Sequence, residues 1–119
     1  MIEKQKAIIY LKLFQLNKSL HLAVKGFPKE KKYTLGEDIL SKNWQCIDLV
    51  ITINTYSSDR RREKIEELSI VFDCLKARLR MAEELGIMSV NQFSHIQENY
   101  MFEIGKMIGG WLVWAKEKK

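Results

Sequence analysis

The sequence has very few of the residues that break helices or cross-link chains, with one proline, Pro28, and two cysteines in 119 residues. Because clear turn signals occur only at 26–32, 56–59 and 86–89, helices have few places where they must end. The two cysteines form no CxxC pair and have no clustered histidines beside them, which excludes a disulfide framework and a zinc site. We expect both to be small buried residues in a reducing, cytoplasmic setting.

Long apolar runs and catalytic motifs are also absent. No run of 18 apolar residues occurs, and the N-terminal segment is interrupted by Lys12 without a signal-peptide cleavage site, so we expect no membrane association. His21 and His95 have no serine or cysteine at a spacing that suggests a nucleophile and its base, and Asp48 and Glu103 are isolated acids. Without a Gly-rich phosphate loop or a Glu-x-x-His pattern, we expect no enzyme, no metal and no cofactor.

Apolar residues recur with helical spacing in four segments of similar length. The predicted helices run over 3–25, 34–56, 60–85 and 90–116. Their predicted core positions are Ile9, Leu13, Leu16, Leu20 and Ala23; Leu35, Ile39, Cys46, Val50 and Ile53; Ile65, Leu68, Phe72, Leu75, Leu79 and Ala82; and Phe93, Ile96, Tyr100, Ile104, Met107, Trp111 and Ala115.

The helix ends carry recognisable signals. Ser58 or Asp59 is a plausible N-cap of the third helix and Ser89 of the fourth, while Gly86 is a typical C-terminal stop. Four such helices joined by short loops pack most simply as an all-α, antiparallel up-down-up-down four-helix bundle in one domain over 1–119.

Three of the predicted helices are apolar on a second side. These residues are Leu40, Trp44, Ile47 and Ile51; Ile70, Cys74, Ala77 and Met81; and Phe102, Leu112 and Val113. Three glycines also lie within residues 105–110, although each costs a helix about 1 kcal/mol relative to alanine. They could accommodate a bulky neighbour inside one bundle, or let a second chain approach closely.

The second apolar stripes favour the oligomer, because a monomer would expose a large apolar area. We therefore predict a homo-oligomer. The candidate packing and subunit-contact residues are Gly105, Gly109, Gly110, Trp111, Trp44 and Met81.

Charge is distributed unevenly in the predicted bundle. The end that holds both termini and the loop between the second and third helices carries nine basic and four acidic side chains. The candidate phosphate-binding residues there are Arg60, Arg61, Arg62, Lys64, Lys4, Lys6 and Lys116, followed by Lys118 and Lys119. Such an end suits RNA or DNA, although basic termini can also be solvated tails and Arg62 can pair locally with Glu66.

Three stretches carry a family resemblance: FPKEKKYTLGEDI (27–39), LKARLRMAEELGIMSVNQF (75–93) and EIGKMIGGWLVW (103–114). Together they resemble the accessory variability determinant (Avd) family of diversity-generating retroelements. More distantly, they resemble the four-helix-bundle proteins encoded by intervening sequences in bacterial 23S ribosomal RNA genes. The chain lacks the small-residue and proline stretch of that second group and reads VITINTYSSD in the corresponding region.

The Avd resemblance implies a homopentameric barrel of four-helix bundles that binds RNA and DNA through a basic surface. It also implies association with the element's reverse transcriptase, which makes mutagenised cDNA, while the accessory protein itself is not the polymerase. The family's packing motif corresponds to Gly105, Gly109, Gly110 and Trp111. The alternative is a protein–protein interaction module of the same fold without a nucleic-acid role.

Overall fold

The computed structural model describes residues 2–117, with all side chains in that range except those of Ile2, Glu3, Asn54 and Ser58. Four helical rods make up this part of the chain, which contains no strand, so the all-α four-helix prediction is confirmed. The rods are α1 (Ile2–Lys25); α2 (Lys29–Lys31), a π-helical turn (Lys32–Gly36), α3 (Glu37–Thr52) and a 3₁₀ turn (Ile53–Thr55); α4 (Ser58–Glu84); and α5 (Val90–Ile96), a π-helical turn (Gln97–Met101) and α6 (Phe102–Glu117). No helix within residues 2–117 combines the length and apolarity needed to cross a membrane.

The connection between α4 and α5 follows the sequence signals closely. Gly86 has a φ of 73°, a left-handed conformation that glycine adopts without steric cost. The amide of Ile87 donates to the Ala82 carbonyl at 2.9 Å, as in a Schellman C-cap. The Ser89 hydroxyl then accepts from the Gln92 amide at 3.1 Å and caps α5. Both predicted end signals are confirmed.

Two predicted helix starts are wrong by a few residues. The second rod begins at Lys29, directly after Pro28, rather than at residue 34, since proline is well suited to precede the first helical turn. Helix α4 begins at Ser58 with Ser57 in the N-cap position, two residues before the predicted start. Sequence signals therefore show that a helix is present more reliably than they show at which residue it begins.

The π-helical turn in the fourth rod changes which residues reach the core. One extra residue in that turn separates the buried side chains of Ile96 and Met101 by five positions rather than three or four. Tyr100, predicted as a core position, is consequently only half-buried, and Met101 is buried instead. Phe93 and Met107, the other two such predictions, are also half-buried, and Ile108 is buried. The predicted stripe is thus wrong at these three positions and correct at Ile96, Ile104, Trp111 and Ala115.

The core of the other rods agrees with the predicted stripes, with two exceptions. Leu35 is half-buried, whereas Ile47, which the sequence assigned to a second apolar side, is 1% exposed. Cys74, which was expected to be buried, is half-buried. Ile47 enters the core because the second rod is enclosed by both α1 and α4 over a wider arc than one stripe. Burial raises the pKa of the Cys46 thiol to about 12, with Cys74 adding a smaller effect, so this thiol stays protonated at neutral pH.

Two asparagines join α1 and α3 inside the core. The Asn43 side-chain amide donates to the Leu13 carbonyl and to Asn17 Oδ1, both at 3.2 Å. Such buried polar pairs fix the level of one helix against another, because any slip would leave the amide without acceptors.

Candidate nucleic-acid interface

Contacts between neighbouring rods establish the ends of the bundle. Asp38, near the start of α3, accepts a hydrogen bond from Arg78, near the end of α4, so the two helices are antiparallel. Phe72 lies beside Gly105, which shows how α6 is aligned along α4. Arg60 lies twelve residues before Phe72, and Lys116 lies eleven after Gly105, so both side chains lie at the same end. The start of α1 also lies there, because Lys6 and Ile51 line one groove.

Two cationic side chains of α4 lie over the ring of Tyr56, a half-buried residue two positions before the helix begins. The Arg60 guanidinium lies 5.4 Å from the centroid of the Tyr56 ring, and Lys64 Nζ lies 5.2 Å from it. Both are within the distance at which a cation is attracted to an aromatic face. The ring therefore holds two positive charges close together at this end of the bundle.

Arg61 is oriented differently from its two neighbours. It is half-buried, its Nη2 donates to the Tyr56 carbonyl at 3.3 Å, and its buried Nε has no hydrogen-bond partner among the described residues. A guanidinium used in this way stabilises the turn before α4 and is poorly placed to bind a phosphate. The sequence grouped it with Arg60 and Arg62, and three adjacent helical residues necessarily point in three directions.

The other predicted cations differ in exposure and in local pairing. Arg62 is exposed and forms the predicted ion pair with Glu66 at 3.8 Å, while the half-buried Lys64 contacts Glu67 at 3.2 Å. Exposed i,i+3 and i,i+4 pairs contribute only about 0.5 kcal/mol, so they leave the cations able to bind a phosphate. Of the rest, Lys4 and Lys116 are exposed, Lys6 is half-buried, and Lys118 and Lys119 lie outside the described residues.

The predicted subunit-contact residues separate into surface and core. The side chains of Trp44 and Met81 are 43% and 51% exposed, as an intermolecular surface requires. Trp111 is 1% exposed and belongs to the core of its own bundle, because it follows the buried stripe of the fourth rod. Its predicted core position is confirmed, and its role is packing within the bundle rather than contact between subunits.

The glycines of α6 lie in different surroundings. A Cβ on Gly105 would lie 3.6 Å from the Phe72 ring, an ordinary van der Waals contact, whereas a Cβ on Gly109 or Gly110 would meet no described atom within 4 Å. A bulky neighbour within the same bundle therefore does not account for Gly109 or Gly110.

Sequence reasoning missed one apolar surface, on α1. Tyr10 and Phe14 are exposed and stacked with their ring centroids 5.9 Å apart, and Tyr10 lies beside Ile51 of α3. Leu11 and Leu22 are also exposed on the outer side of the helix. Stepping 100° per residue along α1, as for the other helices, would have revealed this second side.

The described side chains form no arrangement for metal binding. Within residues 2–117, excluding the few undescribed side chains, no three His, Cys, Asp or Glu side chains are grouped so that they could hold a metal ion.

The ion pair of Asp38 with Arg78 raises the pKa of the guanidinium, chiefly through their hydrogen bond, and fixes α3 against α4.

Comparison with models of known protein families identifies a family for this chain. The family model described as bAvd-like matches residues 5–114, which is nearly the whole chain and spans all four rods. This match confirms the resemblance to the Avd family. No curated protein matches the chain, and no solved structure matches it.

Proposed function

The chain belongs to the bAvd-like family, and on this basis we propose that it is an accessory protein of a diversity-generating retroelement. In this proposal it forms an oligomeric scaffold that binds RNA or DNA and associates with the element's reverse transcriptase. The observation that carries the nucleic-acid part is the group of exposed cations at one end of the bundle, Arg60, Arg62, Lys4 and Lys116.

The arrangement of these cations supports binding to a phosphate backbone. Protein cations that neutralise phosphates release condensed counterions, and the resulting affinity is largely independent of sequence. A scaffold that holds template RNA or cDNA near a polymerase requires that kind of binding. Oligomerisation would bring several such ends together and multiply the number of phosphate contacts.

A titration of labelled, structured RNA with the protein, followed by fluorescence anisotropy across a salt series, tests this function. Four exposed cations per bundle predict a log–log slope of about −2.8 to −3.6, which is about a 50- to 150-fold loss of affinity between 50 and 200 mM salt. No binding at 50 mM salt would contradict the nucleic-acid role.

The alternative function is a protein–protein interaction module, which is favoured by the exposed apolar side chains on α1, α3 and α4. Gene context distinguishes the two. A reverse transcriptase gene with a paired template repeat and variable repeat beside this gene would support the retroelement role, and their absence would favour the interaction module.

We expect Gly109→Leu to disrupt assembly without unfolding the bundle. The new side chain meets open space within one bundle and improves helix propensity by nearly 1 kcal/mol, yet it blocks close approach of a second chain. Circular dichroism melting measures whether the bundle is folded, and light scattering measures the mass of the assembly. Gly109→Ala is the small-residue control. An unchanged oligomer in Gly109→Leu would exclude Gly109 from the subunit contact.

A further inference from the structure

The outer side of α1 is apolar and basic. Stepping 100° per residue places Leu11, Phe14, Lys18, Leu22 and Lys25 on one side of the helix, and all five are exposed. Leu11 is 53% and Leu22 72% exposed. From residue 4 to residue 25 the helix contains no acidic residue. We call this side the α1 face.

The outer side of α4 is apolar and acidic. The same procedure places Glu63, Ile70, Ala77, Met81 and Glu84 on one side, all of them exposed, with Ile70 at 63%. The acidic residues Glu66, Glu67 and Asp73 flank this stripe, which we call the α4 face.

The basic residues of α4 lie at the edges of the α4 face and leave its carboxylates available. Asp73 pairs with Lys76 at 3.0 Å and Glu84 with Arg80 at 3.5 Å. The Asp73 and Glu84 side chains nevertheless remain 65% and 58% exposed. A second set of cations can therefore approach them from outside the bundle.

The two faces point away from each other. Helices α1 and α4 each pack against α3 and α6, so they occupy diagonal positions of the bundle. Their outer sides consequently lie on opposite sides of the molecule, and one bundle presents both a basic–apolar and an acidic–apolar surface.

The faces also match along their length. Asn43 contacts Leu13 and Asn17 of α1, and the Asp38–Arg78 pair places residue 43 level with residue 73 of α4. A residue of α1 therefore lies level with the residue about 58 positions later in α4. Leu11 and Ile70 are 59 positions apart, as are Leu22 and Met81, so each pair lies within one residue, about 1.5 Å, of the same level.

We propose that the α1 face of one copy packs in parallel against the α4 face of the next, pairing Leu11 with Ile70, Leu22 with Met81 and Lys25 with Glu84. This inference rests on the proposed oligomeric scaffold and assigns its subunit contact to α1 and α4, with Gly109 on the side of α6 next to α4, one turn after Gly105, which lies beside Phe72. Rotation about an axis parallel to the helices, or translation perpendicular to it, preserves both level and direction, so the observed matching is what any parallel, side-by-side assembly of copies requires.

The charges select this pairing over a symmetric one. Two α1 faces would bring lysines together, and two α4 faces would bring carboxylates together, both of which are unfavourable. Only contact between unlike faces buries the leucines, Ile70 and Met81 and also brings opposite charges together. The contact is therefore head-to-tail, and an open assembly has one free α1 face at one end and one free α4 face at the other.

Two variants with complementary defects test the pairing. We expect Leu11→Asp with Leu22→Asp, and separately Ile70→Asp with Met81→Asp, to be folded monomers by circular dichroism and light scattering. Mixed in equal amounts, they should form a one-to-one dimer and nothing larger, because each supplies the face that the other lacks. Tyr33→Asp with Val90→Asp changes two exposed residues outside both faces and should keep the wild-type mass.

Three results would overturn the proposal: a monomeric wild type at tens of micromolar, wild-type mass in either double variant, or a mixture that stays monomeric.

Cysteine cross-linking in a Cys74→Ala background tests how α1 of one copy is aligned with α4 of the next along the helix axis. Leu11→Cys with Ile70→Cys should form an intermolecular disulfide, whereas Leu11→Cys with Ala77→Cys should not. The reverse result would refute the parallel pairing.

These measurements contain no RNA and no polymerase, so they separate the interface from the proposed function. A protein that binds RNA but shows no mixed dimer would refute the interface alone. If the variants form the mixed dimer but the protein does not bind RNA, the interface is supported and the nucleic-acid role is refuted.

Discussion

Replacing Arg60 and Arg62 by glutamate should weaken RNA binding about 100-fold at 0.1 M salt and reduce the salt slope by about two. Both side chains are exposed at the end of the bundle where Lys4 and Lys116 also lie. Each reversal removes one phosphate contact and adds a repulsive charge. Anisotropy titrations of wild type and variant across the same salt series measure both quantities.

The variant should fold as well as the wild type. Residue 60 is the third residue of α4 after the N-cap Ser57, so glutamate there can accept a hydrogen bond from the Ser57 amide and lies favourably at the helix N-terminus. Arg62→Glu places a second acid four residues before Glu66, at a cost of only a few tenths of a kcal/mol. Lost binding therefore cannot be attributed to unfolding.

Lys29→Glu with Lys31→Glu is the matched control, because it lowers the net charge by the same four units at the opposite end of the bundle. Both lysines are exposed and lie in the first helical turn after Pro28. If both variants lose affinity equally, net charge rather than the basic end governs binding. If Arg60 and Arg62 can be reversed without effect, the site lies elsewhere.

Arg61 is left unchanged in this design for a structural reason. Its guanidinium donates to the Tyr56 carbonyl and is half-buried, so its replacement would perturb the turn before α4 as well as the charge. From the sequence, the three arginines were equivalent candidates. Their different directions follow from the position of the helix start, which the sequence located only to within two residues.

The sequence predicted correctly the two helix ends that are set by a single residue, the C-terminus of α4 at Gly86 and the N-terminus of α5 at Ser89. Gly86 and Ser89 act through their own backbone conformation and hydroxyl group, and both were identified correctly. The core stripe of the fourth rod depends instead on one extra residue in a π-helical turn, for which the sequence has no comparable signal. Within that turn the buried position moves by one residue, from the predicted Tyr100 to Met101.

The surfaces were predicted less completely than the core. Exposed apolar stripes on α3 and α4 follow from helical spacing, and Trp44 and Met81 were identified in this way. The apolar side of α1 that carries Leu11 and Leu22 follows from the same spacing, whereas its exposure, with Leu13 and Leu20 buried, depends on the neighbours of α1. Burial thus distinguishes residues that are equally apolar in the sequence.

Gly36→Ala should destabilise the bundle by about 2 kcal/mol, because overpacking a close helix contact costs about 1–3 kcal/mol. A Cβ at residue 36 would lie 2.7 Å from Val24 Cγ1 and 3.3 Å from the Lys31 carbonyl oxygen. Its backbone is right-handed helical, with φ −60° and ψ −48°, so alanine suits the local conformation and even gains helix propensity. The cost is therefore steric.

Thermal melting at one fixed protein concentration measures this effect, since assembly makes the melting temperature depend on concentration. A loss of about 2 kcal/mol should lower Tm by about 5–10 °C. Gly109→Ala is the matched control, because its Cβ meets open space and should preserve or raise the melting temperature.

A double-mutant cycle identifies Val24 as the residue that excludes the extra methyl group. Val24 is buried and β-branched, so it cannot move its Cγ1 away without leaving its preferred rotamer. Val24→Ala should cost stability in the wild type but less in the Gly36→Ala background, where it also relieves the clash. Additive effects would show that the strain lies against the Lys31 carbonyl instead, at the π-helical turn itself.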